Sequence, residues 1–258
     1  MQTGCPEILA GIKIELMLVS HRKKFIFTKT RKTAGTSVES YFERYCMPEG
    51  EWQPSHTRQE YVSESGIIGY RGGDTTGYTW FNHMPAARIR ELVGNEIWNS
   101  YYKFTIIRNP FEKLVSDFWM LEKFRKNYKL RKKIKCFIDS FFDQGDPIDR
   151  ATGKTEIERF RSWILKDGPL QEFDRDKYLI DGEECVDYFI YFESLYEGVK
   201  TVCKTLGIPF TPEQMPSYKA GIKNTQHPTE DYYDQETKEI VQNLFAWEIN
   251  RFGYEMPS

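Results

Sequence analysis

The stretch Lys24–Phe42, KFIFTKTRKTAGTSVESYF, decides the fold. Its first five residues have the pattern of a short buried strand, and a polar turn, Lys29–Gly35, follows them. Thr36 and Glu39 have the spacing of a capping box, which predicts that a helix begins there. Apolar residues then recur at helical spacing, at Val38, Tyr41, Phe42 and Tyr45. A strand, a turn and a helix start in this order present backbone N–H groups to an anion.

A second unit of the same kind lies in the middle of the chain. Tyr102–Ile107, YKFTII, is predicted as a buried strand, Asn109 can cap the next helix, and Pro110 suits its first turn. The remaining predicted elements are a helix Pro85–Val93 that ends at Gly94, a strand Tyr188–Phe192, a helix Glu193–Leu206 that ends at Gly207, and a helix from about Asp234 to Arg251. Strands that alternate with helices predict an α/β fold with a mainly parallel sheet.

The glycine-containing segment Met47–Thr79 reads as a loop, either an ordered wall of a site or a mobile lid. No internal repeat or low-complexity linker interrupts the chain. We therefore expect a single domain over residues 1–258, with its core at about residues 24–254.

Composition excludes several functional classes. The 258 residues are 40% hydrophobic and carry a formal net charge of −2, so a globally basic nucleic-acid binder is not indicated. No stretch approaches the roughly 20 apolar residues of a membrane span, and the N-terminal run Ile12–Val19 alternates like a strand rather than a signal peptide. The five cysteines are scattered and form no CxxC pair, which argues against a metal knuckle and a secreted disulfide framework. We expect a reducing, cytoplasmic location and no nucleic-acid or membrane partner.

The turn KTRKTAGTS, residues 29–37, has the chemistry of a phosphate site. Its small residues let the backbone approach a phosphate closely, Lys29 and Lys32 supply charge, and the hydroxyls of Thr33, Thr36 and Ser37 can donate hydrogen bonds. A Walker A loop would have its lysine after the second glycine, whereas Lys32 precedes Gly35 here, which disfavours an ordinary ATP or GTP site. A capped helix after a polar turn would explain the same residues without any ligand.

The segment RNPFEKLVS, residues 108–116, forms a second polar corner. Arg108 follows a buried strand, where α/β sheets place ligand groups, and its planar fork suits a phosphate monoester. Ser116 lies two helical turns further on. The alternative is that Arg108 pairs with a carboxylate and Ser116 is a small packing residue.

Taken together, the two corners resemble the donor-binding motifs of the sulfotransferases that use 3'-phosphoadenosine 5'-phosphosulfate (PAPS). KTAGTS, residues 32–37, resembles their 5'-phosphosulfate loop, and residues 108–116 resemble their 3'-phosphate motif. The likeness is strongest to the carbohydrate sulfotransferase branch, and it continues through YFESL at 191–195, DYYD at 231–234 and FGY at 252–254. Two positions depart from the pattern: Arg31 stands where proline is common, and Lys113 where arginine is common.

The resemblance implies a P-loop-like three-layer α/β/α fold and in-line sulfuryl transfer from PAPS, without a metal, leaving adenosine 3',5'-bisphosphate. Lys32 would stabilise charge on the leaving group. The residues that would hold the nucleotide are Arg31, Lys32, Thr33, Ala34, Gly35, Thr36, Ser37, Arg108, Ser116 and, from a late polar loop with Lys219 and Asn224, Lys223. A small-molecule kinase, or a nucleotide- or glycan-binding module without turnover, remains the alternative.

A base must take the proton of the acceptor hydroxyl, and histidine suits this role near neutral pH. His83, in FNHMP, resembles the histidine that several carbohydrate sulfotransferases carry between their two donor motifs. His56 and the carboxylate of Glu60 are the alternatives. The basic run between Lys123 and Lys135 is either a binding surface for a polyanionic acceptor or a solvated helix face. The acceptor, a small metabolite, natural product or carbohydrate, is not identified by these residues.

Overall fold

The structure, a computed structural model, describes residues 17–72, 75–132, 152–166, 168–169, 173–216, 218 and 227–257, with only the backbone for residues 124–132. The strands are β1 (Met17–Ser20), β2 (Phe25–Thr28), β3 (Tyr61–Ser63), β4 (Gly66–Ile68), β5 (Tyr102–Ile107), β6 (Leu179–Ile180), β7 (Glu183–Glu184) and β8 (Tyr188–Tyr191). The α-helices are α1 (Gly35–Glu43), α2 (Ala86–Ser100), α3 (Pro110–Lys132), α4 (Glu156–Leu165), α5 (Leu195–Thr205), α6 (Gln235–Leu244) and α7 (Ala246–Phe252).

The main sheet has six strands in the order β3-β4-β1-β2-β5-β8. β2 pairs in parallel with β5, and β5 pairs in parallel with β8. At the other side β1 is antiparallel to β2 and β4, and β3 is antiparallel to β4, so four of the six strands run in one direction. The predicted α/β sheet is thus confirmed: β2, β5 and β8 form its parallel half, and β3, β4 and β1 extend it as an antiparallel half.

Alternation along the strands sends side chains to opposite faces of this sheet. Phe25 and Phe27 of β2 pack with α1 and α5, in a cluster that contains Val38, Phe42 and Val199. On the other face Ile26 packs in a cluster with Ile89 and Trp98 of α2. Helices therefore cover both faces. A separate helical cluster joins α3, α4 and α6 through Phe118, Phe160, Trp163 and Val241.

Several predicted elements are confirmed. β2 and β5 lie at the predicted strands, α3 begins at Pro110, and Asn109 Oδ1 accepts a hydrogen bond of 3.0 Å from the Phe111 N–H as a cap. The predicted helix end at Gly94 is a kink inside α2. Gly94 has a non-helical φ of 81°, and the helix continues after it to Ser100. The predicted last helix is two helices, α6 and α7, with a break at Phe245.

The segment predicted as a loop, Met47–Thr79, contains the β3–β4 hairpin, which adds two strands to the sheet. Its strands are only three residues long and include Gly66 and Ser63, so their pattern was too short to read from the sequence. Among the described helices, none is long and apolar enough to cross a membrane.

Candidate active site

The carboxyl ends of β2 and β5 lie side by side, and both predicted corners begin there. Thr105 of β5 donates a hydrogen bond of 2.6 Å to the Thr28 carbonyl, and Thr30 donates to the Ile106 carbonyl. Residues 29–34, which we call the β2–α1 loop, are therefore held directly against the end of β5. Carboxyl ends of neighbouring parallel strands are where α/β proteins bind ligands.

The β2–α1 loop has an unusual backbone. Lys32 and Ala34 both lie in the left-handed region, with φ of 57° and 59°, where residues other than glycine are uncommon. Ala34 is the N-cap of α1 and no side chain caps this helix. Because the first N–H groups of a helix have no partner within the helix, the start of α1 offers them to an anion.

The predicted capping box of Thr36 and Glu39 is wrong. α1 begins at Gly35, so Thr36 lies inside the first turn rather than in front of it. Lys29 explains the difference, because its Nζ donates hydrogen bonds of 3.0 Å to both Thr36 Oγ1 and Glu39 Oε2. The two side chains that would have capped the helix are thus bound to a buried lysine.

Lys29 lies beneath the loop, in a network of buried charges. Its side chain is 5% exposed and that of Glu39 is fully buried. Arg71 joins them, at 3.0 Å from Glu39 and 2.7 Å from Glu43. Burial raises the pKa of Glu39, although Lys29 and Arg71 act in the opposite direction. A Cβ added to Gly35 would lie 2.7 Å from Lys29 Cγ, so only glycine leaves room for this lysine. Lys29 therefore supports the loop from behind.

Lys32 turns towards α3. Its Nζ lies 3.9 Å from Oδ1 of Asp117, which is almost fully buried, and its own side chain is 10% exposed. Ser116, the neighbour of Asp117, is half-buried on the same helix. The structure thus brings the side chain of Lys32 to the part of α3 that carries the predicted 3'-phosphate motif.

The other predicted loop residues differ in what they offer. The hydroxyl of Thr33 is buried, 2.9 Å from the Thr30 hydroxyl and 3.2 Å from the Thr30 carbonyl, so it stabilises the turn itself. The main-chain N–H of Ser37 donates to the Ala34 carbonyl at 2.9 Å, and the Ser37 side chain is half-buried. Arg31, near the start of the loop, is half-buried.

Arg108 connects the two corners. Its Nη1 donates a hydrogen bond of 3.0 Å to the Lys32 carbonyl, and its Nη2 donates one of 3.3 Å to Glu112 Oε2. The guanidinium lies over the ring of Phe192, at 4.2 Å from the centroid. Its Nε is buried and has no hydrogen-bond partner among the described residues. Arg108 thus contacts a carboxylate, as the alternative interpretation of the sequence predicts, and its role in binding a phosphate stays a prediction.

A phosphorylated nucleotide fits what these residues offer. The buried Nε of Arg108 and the uncapped start of α1 both call for an acceptor oxygen, and the Arg108 contact with Lys32 holds them close to each other. Phosphate oxygens accept hydrogen bonds from both kinds of donor.

His83 lies against the β2–α1 loop. It is 7% exposed, has φ of 49°, and its Nδ1 is 2.8 Å from the Lys29 carbonyl. A carbonyl oxygen can only accept, so Nδ1 carries the hydrogen and Nε2 is left with a lone pair. Burial, followed by the positive charges of Lys29, Arg31 and Lys177, holds the pKa of His83 well below 6.5. The imidazole is therefore neutral near pH 7 and able to accept a proton at Nε2.

The alternative bases are placed differently. Glu60 Oε1 accepts a hydrogen bond of 2.7 Å from the main-chain N–H of Trp80. His56 is at the surface, where its ring contacts Tyr218 at a centroid distance of 5.3 Å. Of the three predicted bases, His83 is the one that the structure brings into contact with the loop.

Some predicted residues lie outside the described part of the chain. They are Lys219, Lys223 and Asn224 of the late polar loop, and Lys133 and Lys135 of the basic run. Lys123 is exposed on α3, and the following residues up to Lys132 continue the helix. Among the described residues, no group of three or more histidine, cysteine or acidic side chains could hold a metal ion.

Sequence reasoning missed Asp174. This residue is 4% exposed, and its Oδ2 accepts hydrogen bonds of 3.0 Å from the Arg31 N–H and 2.7 Å from Lys113 Nζ. It follows Phe173 and stands in no recognisable motif, 143 residues from Arg31 along the chain. No sequence pattern could have connected it with the loop.

Sequence comparisons with known proteins give a family match and a relative. A sequence profile of the sulfotransferase family matches residues 15–255. An uncharacterized protein of Archaeoglobus fulgidus is 27% identical over 126 residues, which cover 49% of this chain and 84% of the archaeal protein. No solved structure matches the chain. The family match covers nearly the whole length and both corners of the site, and the chain therefore belongs to the sulfotransferase family.

Proposed function

We propose that the protein transfers the sulfuryl group of PAPS to an acceptor hydroxyl. The observation that carries this proposal is the hydrogen bond from Arg108 to the Lys32 carbonyl, which joins two anion-binding corners at the ends of adjacent parallel strands. A nucleotide with a 5' and a 3' anionic group is the ligand that suits two such corners. The family match supports sulfuryl transfer as the chemistry.

The residues divide the work as follows. The backbone N–H groups from Thr33 to Thr36, at the start of α1, hold the 5'-phosphate together with the Ser37 hydroxyl, and Arg108 with Ser116 holds the 3'-phosphate. The Nζ of Lys32 lies 3.9 Å from Asp117, which follows Ser116 in sequence. From there Lys32 stabilises the charge that develops on the leaving oxygen. Arg31 adds positive charge at the start of the loop, and Lys223 is proposed as a further nucleotide contact.

His83 is proposed as the base. Its hydrogen bond to the Lys29 carbonyl fixes the tautomer that leaves Nε2 unprotonated, and its low pKa keeps it neutral at working pH. The acceptor proton then moves to Nε2 as the acceptor oxygen bonds to sulfur and the bond from sulfur to the nucleotide oxygen breaks.

The acceptor is proposed as a hydroxylated small metabolite, natural product or carbohydrate. A cytoplasmic location is proposed as well. Three of the five cysteines, Cys46, Cys185 and Cys203, lie in the described part of the chain, and each is a free thiol, which agrees with a reducing compartment.

Two measurements test the function. Calorimetric titration should show binding of adenosine 3',5'-bisphosphate without magnesium, and sulfate transfer from radiolabelled PAPS should be detected in a screen of hydroxylated metabolites and oligosaccharides. Lys32→Met should lower that transfer about 10²–10³-fold while the protein still binds the bisphosphate. Magnesium-dependent ATP binding in place of bisphosphate binding would support a kinase, and bisphosphate binding without transfer to any acceptor would support a binding module.

A further inference from the structure

Asp174 contacts two segments that are far apart in sequence. It precedes the short 3-10 turn Arg175–Lys177 and is 4% exposed. Its Oδ2 accepts from the main-chain N–H of Arg31 at 3.0 Å and from Lys113 Nζ at 2.7 Å. Lys113 is itself only 6% exposed. One carboxylate oxygen is thus shared by the β2–α1 loop and the first turns of α3.

Arg31 and Lys113, the two partners of Asp174, are each next in sequence to a residue of the proposed nucleotide site or to its direct partner. Arg31 directly precedes Lys32, whose backbone is in the left-handed region. Lys113 directly follows Glu112, which accepts a hydrogen bond from Arg108. A loop with residues in such strained conformations keeps its shape only where its surroundings hold it. The Arg31 N–H is the last main-chain donor before the strained residue, so its bond to Asp174 fixes the point from which the loop turns.

The charge on Asp174 suits this role. A hydrogen bond from an N–H to a buried carboxylate is stronger than one between neutral groups. Lys113 compensates the negative charge, so this contact does not depend on a counter-charge from the nucleotide. The nucleotide phosphates therefore meet a loop whose anchor is already neutralised.

We propose that Asp174 is a positioning residue, which sets the shape of the β2–α1 loop and its distance from the Arg108 corner through the Arg31 N–H and Lys113. This inference rests on the proposed function where it concerns nucleotide affinity. The effect of Asp174 on the shape of the loop is expected in the protein without ligand as well.

The first test therefore uses the protein alone. Hydrogen–deuterium exchange of the peptide that covers residues 31–37 should become at least about 10-fold faster in Asp174→Asn, because the hydrogen bond that anchors the loop is weakened. Asp234→Asn is the matched control. Asp234 caps α6 through Thr237, so its loss destabilises the protein without touching the loop. Unchanged exchange of residues 31–37 in Asp174→Asn overturns the proposal.

A second pair of variants leaves the contact between Asp174 and the buried Lys113 in place. Arg31→Pro removes the N–H and leaves the pair of Asp174 and Lys113 intact, whereas Arg31→Ala keeps the N–H and removes the guanidinium. Proline is common at this position in the family, but in this chain Arg31→Pro leaves Asp174 without the N–H from which it accepts, so adenosine 3',5'-bisphosphate should bind about 10-fold more weakly to Arg31→Pro than to Arg31→Ala. In the double variant Arg31→Pro with Asp174→Asn, the loss should be far smaller than the product of the single effects, because Arg31→Pro already removes the bond that Asp174→Asn weakens.

The two proposals fail in different ways. If the unmodified protein does not bind the bisphosphate, the proposed function falls, while faster exchange in Asp174→Asn still supports the positioning role. If binding is normal and the effects of Arg31→Pro and Asp174→Asn multiply independently, the function stands and the positioning role of Asp174 is contradicted.

Discussion

Arg108 donates a hydrogen bond of 3.0 Å from its guanidinium to the main-chain carbonyl of Lys32. This contact spans 76 residues of sequence and joins the end of β5 to the β2–α1 loop. Because it uses the carbonyl of Lys32, it leaves the ammonium group of that lysine for other partners. The bond thus fixes the distance between the β2–α1 loop and the start of α3 without using the ammonium group of Lys32.

Arg108 should decide the preference for a 3'-phosphorylated nucleotide. Arg108→Ala is expected to weaken binding of adenosine 3',5'-bisphosphate about 10- to 100-fold, because a charge-assisted forked contact is lost. Binding of adenosine 5'-monophosphate, which lacks the 3'-phosphate, should change far less. Titration calorimetry with both nucleotides measures the ratio, and a ratio that stays the same in the variant would place the 3'-phosphate elsewhere. The bisphosphate affinity of Arg108→Lys should lie between those of the unmodified protein and Arg108→Ala, because lysine keeps the positive charge but not the forked guanidinium.

His83 should act in turnover and not in nucleotide binding. His83→Ala is expected to lower kcat about 10²–10⁴-fold with little change in bisphosphate affinity. His83→Asn is the matched variant, because its side-chain amide can still donate to the Lys29 carbonyl but cannot take up a proton. If Asn restored turnover, the histidine would serve as a hydrogen-bond donor only, and the base would have to be sought at Glu60 or His56.

The low pKa of His83 has a consequence for stability. As the pH falls below 6.5, the unfolded chain takes up a proton at this histidine and the folded protein does not, until the lowered pKa is reached. The free energy of unfolding should therefore decrease on acidification from pH 7 to pH 5. Urea unfolding at the two pH values measures this loss, and the loss should be smaller in His83→Asn. An equal loss in both proteins would mean that His83 titrates normally.

The buried network under the loop should dominate local stability. Glu39→Gln leaves Lys29 and Arg71 without one of their carboxylates in a buried site, and we expect the free energy of unfolding to fall by about 3–5 kcal/mol. The pair Arg88 and Glu91, with side chains 46% and 67% exposed, supplies the control: Glu91→Gln should cost about 0.5 kcal/mol or less. Similar losses in the two variants, measured by urea unfolding, would contradict the role of the network.

The sequence predicts those parts of the fold whose signals are local. The apolar runs of β2 and β5, the cap at Asn109 and the helix start at Pro110 are each contained within a few residues, and the structure has them where they were expected. The short β3–β4 hairpin carries no such run. It forms because the free edge of β1 offers it hydrogen-bond partners.

The site is predicted less completely, for the same reason. The motif residues of the two corners can be read directly, and their pairing follows from the parallel strands. The role of Lys29 cannot be read from the sequence, because Arg71, which shares the carboxylate of Glu39 with it, comes from a segment without a clear pattern. Asp174 reaches Arg31 across 143 residues, and that contact depends on the folded chain alone.

The left-handed backbone at Lys32 and Ala34 has a last consequence. Each such residue costs about 1–3 kcal/mol, which the surrounding contacts must supply in the free protein. The proposed phosphate site is thus preorganised, so that a bound phosphate would not have to order the loop. A glycine at position 34 would adopt the same conformation without strain. It would also allow the unliganded turn more backbone conformations. Alanine costs backbone strain at this position, but it restricts the turn to one conformation before any ligand binds.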